Sequence, residues 1–155
     1  MYEIIVGRDD EDKAAFGDKG IFLLGKHYVK MGQTSSLSTP IYMDVVRSHV
    51  VAIFGKRGSG KSYSLGAIAE AMMQLEPEIT QNLCVVIFDT MGIYWTSKFE
   101  NKRDAALLRG WELSYKPLNV QVYVPAGFLN SYKEKGIPID YGFSIKPSEL
   151  SAADW

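Results

Sequence analysis

Residues 49–62 read HVVAIFGKRGSGKS, an apolar run followed at once by a glycine-rich basic loop. His49–Phe54 is continuously apolar after its first residue, the pattern of a parallel strand buried on both faces. Gly55, Gly60, Lys61 and Ser62 then fit the GxxxxGK[ST] spacing of a phosphate-binding loop. Glycines at those positions let successive backbone N–H groups turn inward onto phosphate oxygens. Lys61 reaches the β- and γ-phosphates, and Ser62 offers its hydroxyl to Mg²⁺. Gly60–Leu75 follows with Leu65, Ile68, Ala69, Met72 and Leu75 at helical spacing, and Pro77 marks its end. A helix starting there aims its positive N-terminal end at the same anion. The plain alternative is a glycine-rich turn that binds nothing, and the flanking strand and helix weigh against it. Lys56 and Arg57 read as solvated charge.

Leu83–Phe88 is a second apolar run with the look of a buried strand, ending in Asp89. A carboxylate at the carboxyl end of a central strand lies on the ligand edge of a parallel sheet. Asp89 is therefore either a supporting catalytic residue or the cap of the turn that follows it. Asp89-Thr90-Met91-Gly92 and Asn101-Lys102-Arg103-Asp104 also match DxxG and NKxD, two signatures of GTPases. A guanine-reading NKxD must follow a buried strand, and Thr96–Glu100 is none. The two motifs also lie too close in sequence to reach opposite ends of a nucleotide. The better reading is an exposed helix start capped by Asn101.

Outward from this centre, Lys102–Leu113 reads as a helix, its Lys102, Arg103 and Arg109 on an ordinary exposed face, and Val120–Val124 as a third strand. Gly127–Gly142 reads as irregular, and Pro147–Ser151 opens a further helix. Toward the N-terminus, Tyr2–Val6 is a short strand and Asp9–Asp12 a solvated acidic turn or the start of a short helix. Ile21–Met31 is a strand bulged at Gly25, Gly32–Pro40 a Ser/Thr/Gly-rich loop, and Ile41–Val46 another strand. The expectation is a β-rich module over residues 1–46 and an α/β nucleotide domain over 47–155.

The 155 residues are 46% hydrophobic and 23% charged, the balance of a globular protein, with a net charge of −1. No overall basic field advertises nucleic acid, although a ring needs basic groups only along its channel. One cysteine, Cys84 in LCVVIF, excludes an internal disulfide and a zinc framework and reads as a small buried hydrophobe. No apolar stretch approaches the roughly 20 residues that span a bilayer. The acidic N-terminus lacks the apolar centre of a secretory signal. A cytoplasmic location is expected.

Taken together, HVVAIFGKRGSGKSYSLGAIAE, the upstream FGDKGIFLLGKHYVKMG and IYMDVVRSHV, and VVIFDTMGIYW resemble the HerA-type ATPases, relatives of the FtsK DNA pumps. VQVYVPAGF and PSELSAADW resemble later stretches of the same domain. The resemblance implies an incomplete RecA-like P-loop core, a parallel sheet with flanking helices, preceded by a small module like a HAS-barrel. It implies ATP and Mg²⁺ as ligands, with Gly55, Gly58, Ser59, Gly60, Lys61, Ser62 and Tyr63 binding the nucleotide, Ser62 meeting the metal, and Lys61 and Asp89 serving catalysis. It implies a homo-hexamer that moves duplex DNA beside a nuclease or another effector, NurA-like or sirtuin-like. Ile93 stands where the family usually has glutamate. The Walker B acids, catalytic glutamate and arginine finger of such a motor have no counterpart here, so a portion of a longer ATPase is expected. The competing reading is a short ATP-binding assembly or regulatory module without motor activity.

Overall fold

The computed structural model describes residues 3–113 and 116–154. It divides into two compact units, Met1–Phe88 and Asp89–Trp155.

The first unit is built on a three-stranded sheet ordered β1-β3-β2. Strand β1 (Ile4–Val6) runs parallel to β3 (Thr34–Asp44), and β2 (Ile21–Met31) pairs antiparallel with β3. Between β1 and β2 lies helix α1 (Asp10–Phe16), where the Asp9 side chain accepts a 2.8 Å hydrogen bond from the Asp12 backbone N–H. The acidic stretch is thus a capped helix start, the second of the two readings its sequence allows.

Gly32 and Gln33 make a tight turn between Met31 and Thr34, which pair across the hairpin. The loop expected over Gly32–Pro40 is therefore a correction: Thr34 to Pro40 belong to β3. A run of Ser and Thr signals a turn locally, but β2 offers it a complete ladder of partners. The register slips between Leu23 and Gly25, so the bulge anticipated at Gly25 is present with Leu24 as the residue out of step. Phe22 and Met43, register partners across β2 and β3, are both buried and form the centre of this sheet's core.

At the foot of β3, Asp44 is almost fully buried and gathers three neighbours. Arg8, itself fully enclosed, donates from Nε at 2.9 Å and also from Nη2. The Arg47 backbone N–H donates to Asp44 Oδ2 at 2.9 Å, and His49 Nε2 lies 2.8 Å from the same oxygen. Burial alone would push the Asp44 carboxyl up; the bonds from His49, the Arg47 backbone and Arg8 outweigh it and hold the group below its ordinary value. Beside it, Arg47 grips Asp12 of α1 from Nε and Nη2, which lowers the Asp12 carboxyl. These ion pairs tie α1, β3 and the entrance to residues 49–54 into one corner.

Helix α2 (Lys61–Met73) follows the glycine-rich loop, and a single turn α3 (Pro77–Thr80) begins where Pro77 was expected to close it. Ala69 is buried, whereas Leu65 is exposed. His49–Phe54 and Leu83–Phe88 differ from expectation: neither forms a strand. Val50, Phe54, Val86 and Phe88 are exposed, and so is Cys84, which is not the buried hydrophobe its sequence suggested. An apolar run becomes a parallel strand only where a neighbour presents its slanted N–H and C=O groups. Among the described residues no strand pairs with either run.

The second unit opens with a 3₁₀ turn at Tyr94–Lys98, then a helix α4 (Ala105–Gly110) shorter than the one expected over Lys102–Leu113. A two-stranded parallel sheet joins β4 (Tyr123–Pro125) to β5 (Tyr141–Phe143). Between them stands α5 (Leu129–Glu134), in the stretch expected to be irregular. Val124 is buried, and Tyr123 stacks on its register partner Tyr141 at 4.9 Å. Asp140 accepts from Lys98 Nζ at 2.5 Å and from the Val122 N–H at 2.6 Å, binding the loop before β4 to the loop before β5. Pro147 opens a 3₁₀ turn ending at Glu149 rather than a full helix. Among the described residues no helix is long and apolar enough to cross a membrane.

Candidate phosphate-binding site

The loop from Gly55 to Ser62 delivers the chain into α2 through two left-handed residues, Gly58 at φ 77° and Gly60 at φ 89°. An L side chain pays about 1–2 kcal/mol to sit there, so glycine is the residue that lets the loop curl. Gly55 serves a different need. A Cβ added to it would lie 2.3 Å from the Ser59 hydroxyl and 3.2 Å from the Ser59 Cβ, so any side chain here would push the Ser59 side chain aside. The Ser59 N–H donates to the Lys56 carbonyl at 3.2 Å and closes the turn.

Lys61 is the first residue of α2, and its Nζ donates to the Lys56 carbonyl at 2.8 Å. The ammonium is thereby held across the loop rather than extended into solvent. The N-cap of α2, Gly60, supplies no side-chain hydrogen bond, and the first turn carries no acidic residue. The positive end of a 13-residue helix is left to whatever anion approaches the loop. Gly58, Ser59, Gly60, Lys61, Ser62 and Tyr63 line a concavity of about 310 Å³ at this point. The structure thus places together all the nucleotide-binding residues predicted from sequence except Gly55, which sits directly behind them closing the loop.

Asp89 belongs to the second unit. Its carboxylate accepts backbone N–H bonds from Met91 at 3.1 Å, Gly92 at 2.8 Å, Ile93 at 2.7 Å and Tyr94 at 2.8 Å. Four donors on one carboxylate make it the organiser of the turn that leads into Tyr94–Lys98, the capping role left open by the sequence. Asn101 and Asp104 likewise serve each other: the Asn101 amide donates to the Asp104 carboxylate at 3.0 Å, and its carbonyl accepts the Asp104 N–H at 3.1 Å. The Asn101 and Asp104 side chains thus serve the turn that leads into α4. Lys102, Arg103 and Arg109 are exposed.

The corner around Asp44 carried no signal in the sequence. Its partners are 36 residues away at Arg8 and five away at His49, spacings that no periodicity marks.

Residues 24–155 match the family described as the central domain of helicase HerA. The chain belongs to that family. No curated protein and no solved structure matches it. The HerA-family match includes the whole Gly55–Ser62 loop, α2 and the Asp89 turn, and it begins within β2. It makes the chain part of an ATPase of the HerA/FtsK type, so ATP is the nucleotide in view for the loop.

The donor set fits such a ligand. Gly55 leaves the cradle open for close packing, the helix end is uncapped, and no acid stands in the first turn to repel a triphosphate. Ser62 is the hydroxyl next to Lys61, and among the described residues no cluster of three or more His, Cys, Asp or Glu could hold a cation by itself. A Mg²⁺ here would arrive with the phosphates, as this ion does when it keeps most of its ligands from nucleotide and water.

Proposed function

We propose that this chain is the ATP-binding portion of a HerA-like hexameric DNA translocase, in which ATP hydrolysis moves duplex DNA for a nuclease or another effector protein. The observation that carries the reading is the Gly55–Tyr63 concavity at the uncapped start of α2, inside a HerA-family chain. Residues 47–155 then contribute to a RecA-like core, and residues 1–46 form a HAS-barrel-like module beside it. The Asp44 corner joins the two in sequence just ahead of the loop.

In this reading the backbone N–H groups of Gly58–Ser62 hold the triphosphate and Lys61 leaves the Lys56 carbonyl to meet its β- and γ-oxygens. Ser62 is the residue that would hold a Mg²⁺ ion, which would neutralise phosphate charge there.

The test is ATP hydrolysis by the protein containing this chain, with and without duplex DNA. DNA should stimulate the rate, and Lys61→Ala should lower it at least a hundredfold. An unchanged rate in that variant refutes the assignment. A protein that binds ATP, remains monomeric by mass photometry and ignores DNA would instead be the regulatory module.

A further inference from the structure

A second concavity adjoins the first. It measures about 340 Å³ and lies between β2 and α2, lined by Phe22, Leu23 and Leu24 on the strand and by Tyr63, Ser64, Ala67 and Ile68 on the helix. Tyr63 lines both concavities. The volume falls within the roughly 300–1,000 Å³ of small-molecule sites, and an apolar lining with few polar groups is their usual character. Tyr63 and Ala67, four residues apart, lie on one stripe of α2. Across from them Leu24 is the bulged residue of β2, and bulges beside functional sites re-aim a side chain. Leu24 and Tyr63 are both exposed.

The two concavities differ in the residues that line them, although each exposes both polar and apolar surface. One end is a glycine loop with a lysine and an open helix start; the other is walled mainly by Phe22, Leu23, Leu24, Ala67 and Ile68, with Ser64 as its hydroxyl and Tyr63 as its aromatic ring. A nucleotide has the same gradient, from charged phosphates to a flat base with apolar faces. We propose that the cleft between β2 and α2 receives the base of the bound nucleotide, with Tyr63 as the ring it stacks on. The inference rests on the phosphate-loop reading and adds to it a base subsite to which the N-terminal β-sheet contributes one wall. A base stacked on an aromatic side chain typically loses about tenfold or more in affinity when that ring is truncated.

The experiment is calorimetric titration of the protein containing this chain with ATP, supplied as a non-hydrolysable analogue, and, separately, with inorganic tripolyphosphate, both with Mg²⁺. Wild-type chain should bind ATP at least tenfold more tightly than tripolyphosphate. Tyr63→Ala, which removes the ring, and Ala67→Phe, which fills the cleft from the helix, should each weaken ATP about tenfold and leave tripolyphosphate unchanged. Tyr63→Phe, which keeps the ring, should retain ATP affinity. Lys61→Ala should weaken both ligands together. Equal wild-type affinities for the two ligands overturn the base subsite while leaving the phosphate loop standing, and would give the cleft to another occupant such as an apolar segment of a second copy. Cleft variants that change both ligands equally, or neither, overturn it too. Failure of wild-type chain to bind either ligand, or indifference of both to Lys61→Ala, refutes the phosphate-loop reading and the subsite with it.

Discussion

At the scale of single residues, two small groups do opposite jobs. Gly60 matters for what it lacks: at φ 89° a Cβ is strained, and the strain falls where α2 begins. Gly60→Ala should destabilise the chain by about 1–2 kcal/mol in urea unfolding and weaken ATP by more than that strain alone, because the loop N–H groups turn away from the phosphates. Equal ATP affinity in the variant would show that the left-handed turn is not used for binding. Asp89 matters for what it holds. Its removal strands four backbone donors, so Asp89→Ala should cost about 1–3 kcal/mol and speed amide exchange at Gly92, Ile93 and Tyr94. Exchange at wild-type rates would show that the turn stands without its cap.

Elements are held together by carboxylates with lowered pKa. Asp44 is depressed although burial opposes it, Asp12 chiefly by its bond from Arg47, and Asp140 chiefly by its bond from Lys98. A group depressed in the folded state contributes stability that is fully present above its unfolded value, here 3.8, and lost as pH falls through the lower folded value. Through these three carboxylates stability should hold from neutral pH to about 5 and drop steeply below about 4, read from urea midpoints across that range. Glu70, whose carboxyl burial raises, contributes with the opposite sign. Asp44→Asn leaves Arg8 buried without its counter-charge and should cost about 3–5 kcal/mol near pH 7. The acid slope of that variant should also be shallower. A slope identical to wild type would assign the acid sensitivity to other groups.

For the whole molecule, the consequential feature is apolar surface without cover. Val50, Phe54 and Phe88 are almost fully exposed, at 102%, 89% and 92%, on extended segments that pair with no strand among the described residues. Such segments seek other strands. The isolated 155-residue chain should show concentration-dependent association in sedimentation velocity, and Val50→Lys with Phe88→Lys should shift it toward monomer. An unaltered distribution would mean these runs are covered in solution.

The sequence by itself determined the loop. GKRGSGKS, the helix spacing after it and the bulge at Gly25 depend on contacts within a few residues, where backbone preference and periodicity decide the outcome. The helix start at Asp9–Asp12 and the Asp89 turn were readable for the same reason, although in each case a second local reading competed. Only the tertiary structure decided what depends on distant partners. Thr34–Pro40 is strand because β2 lies beside it, and Arg8, Asp44 and His49 meet because β3 returns to the start of the chain. The cleft shared by Leu24 and Tyr63 exists because the sheet and α2 face each other. Hydrophobicity told that HVVAIF and LCVVIF want a sheet; whether they have one is a matter of neighbours, because a strand's hydrogen bonds are always completed by another segment.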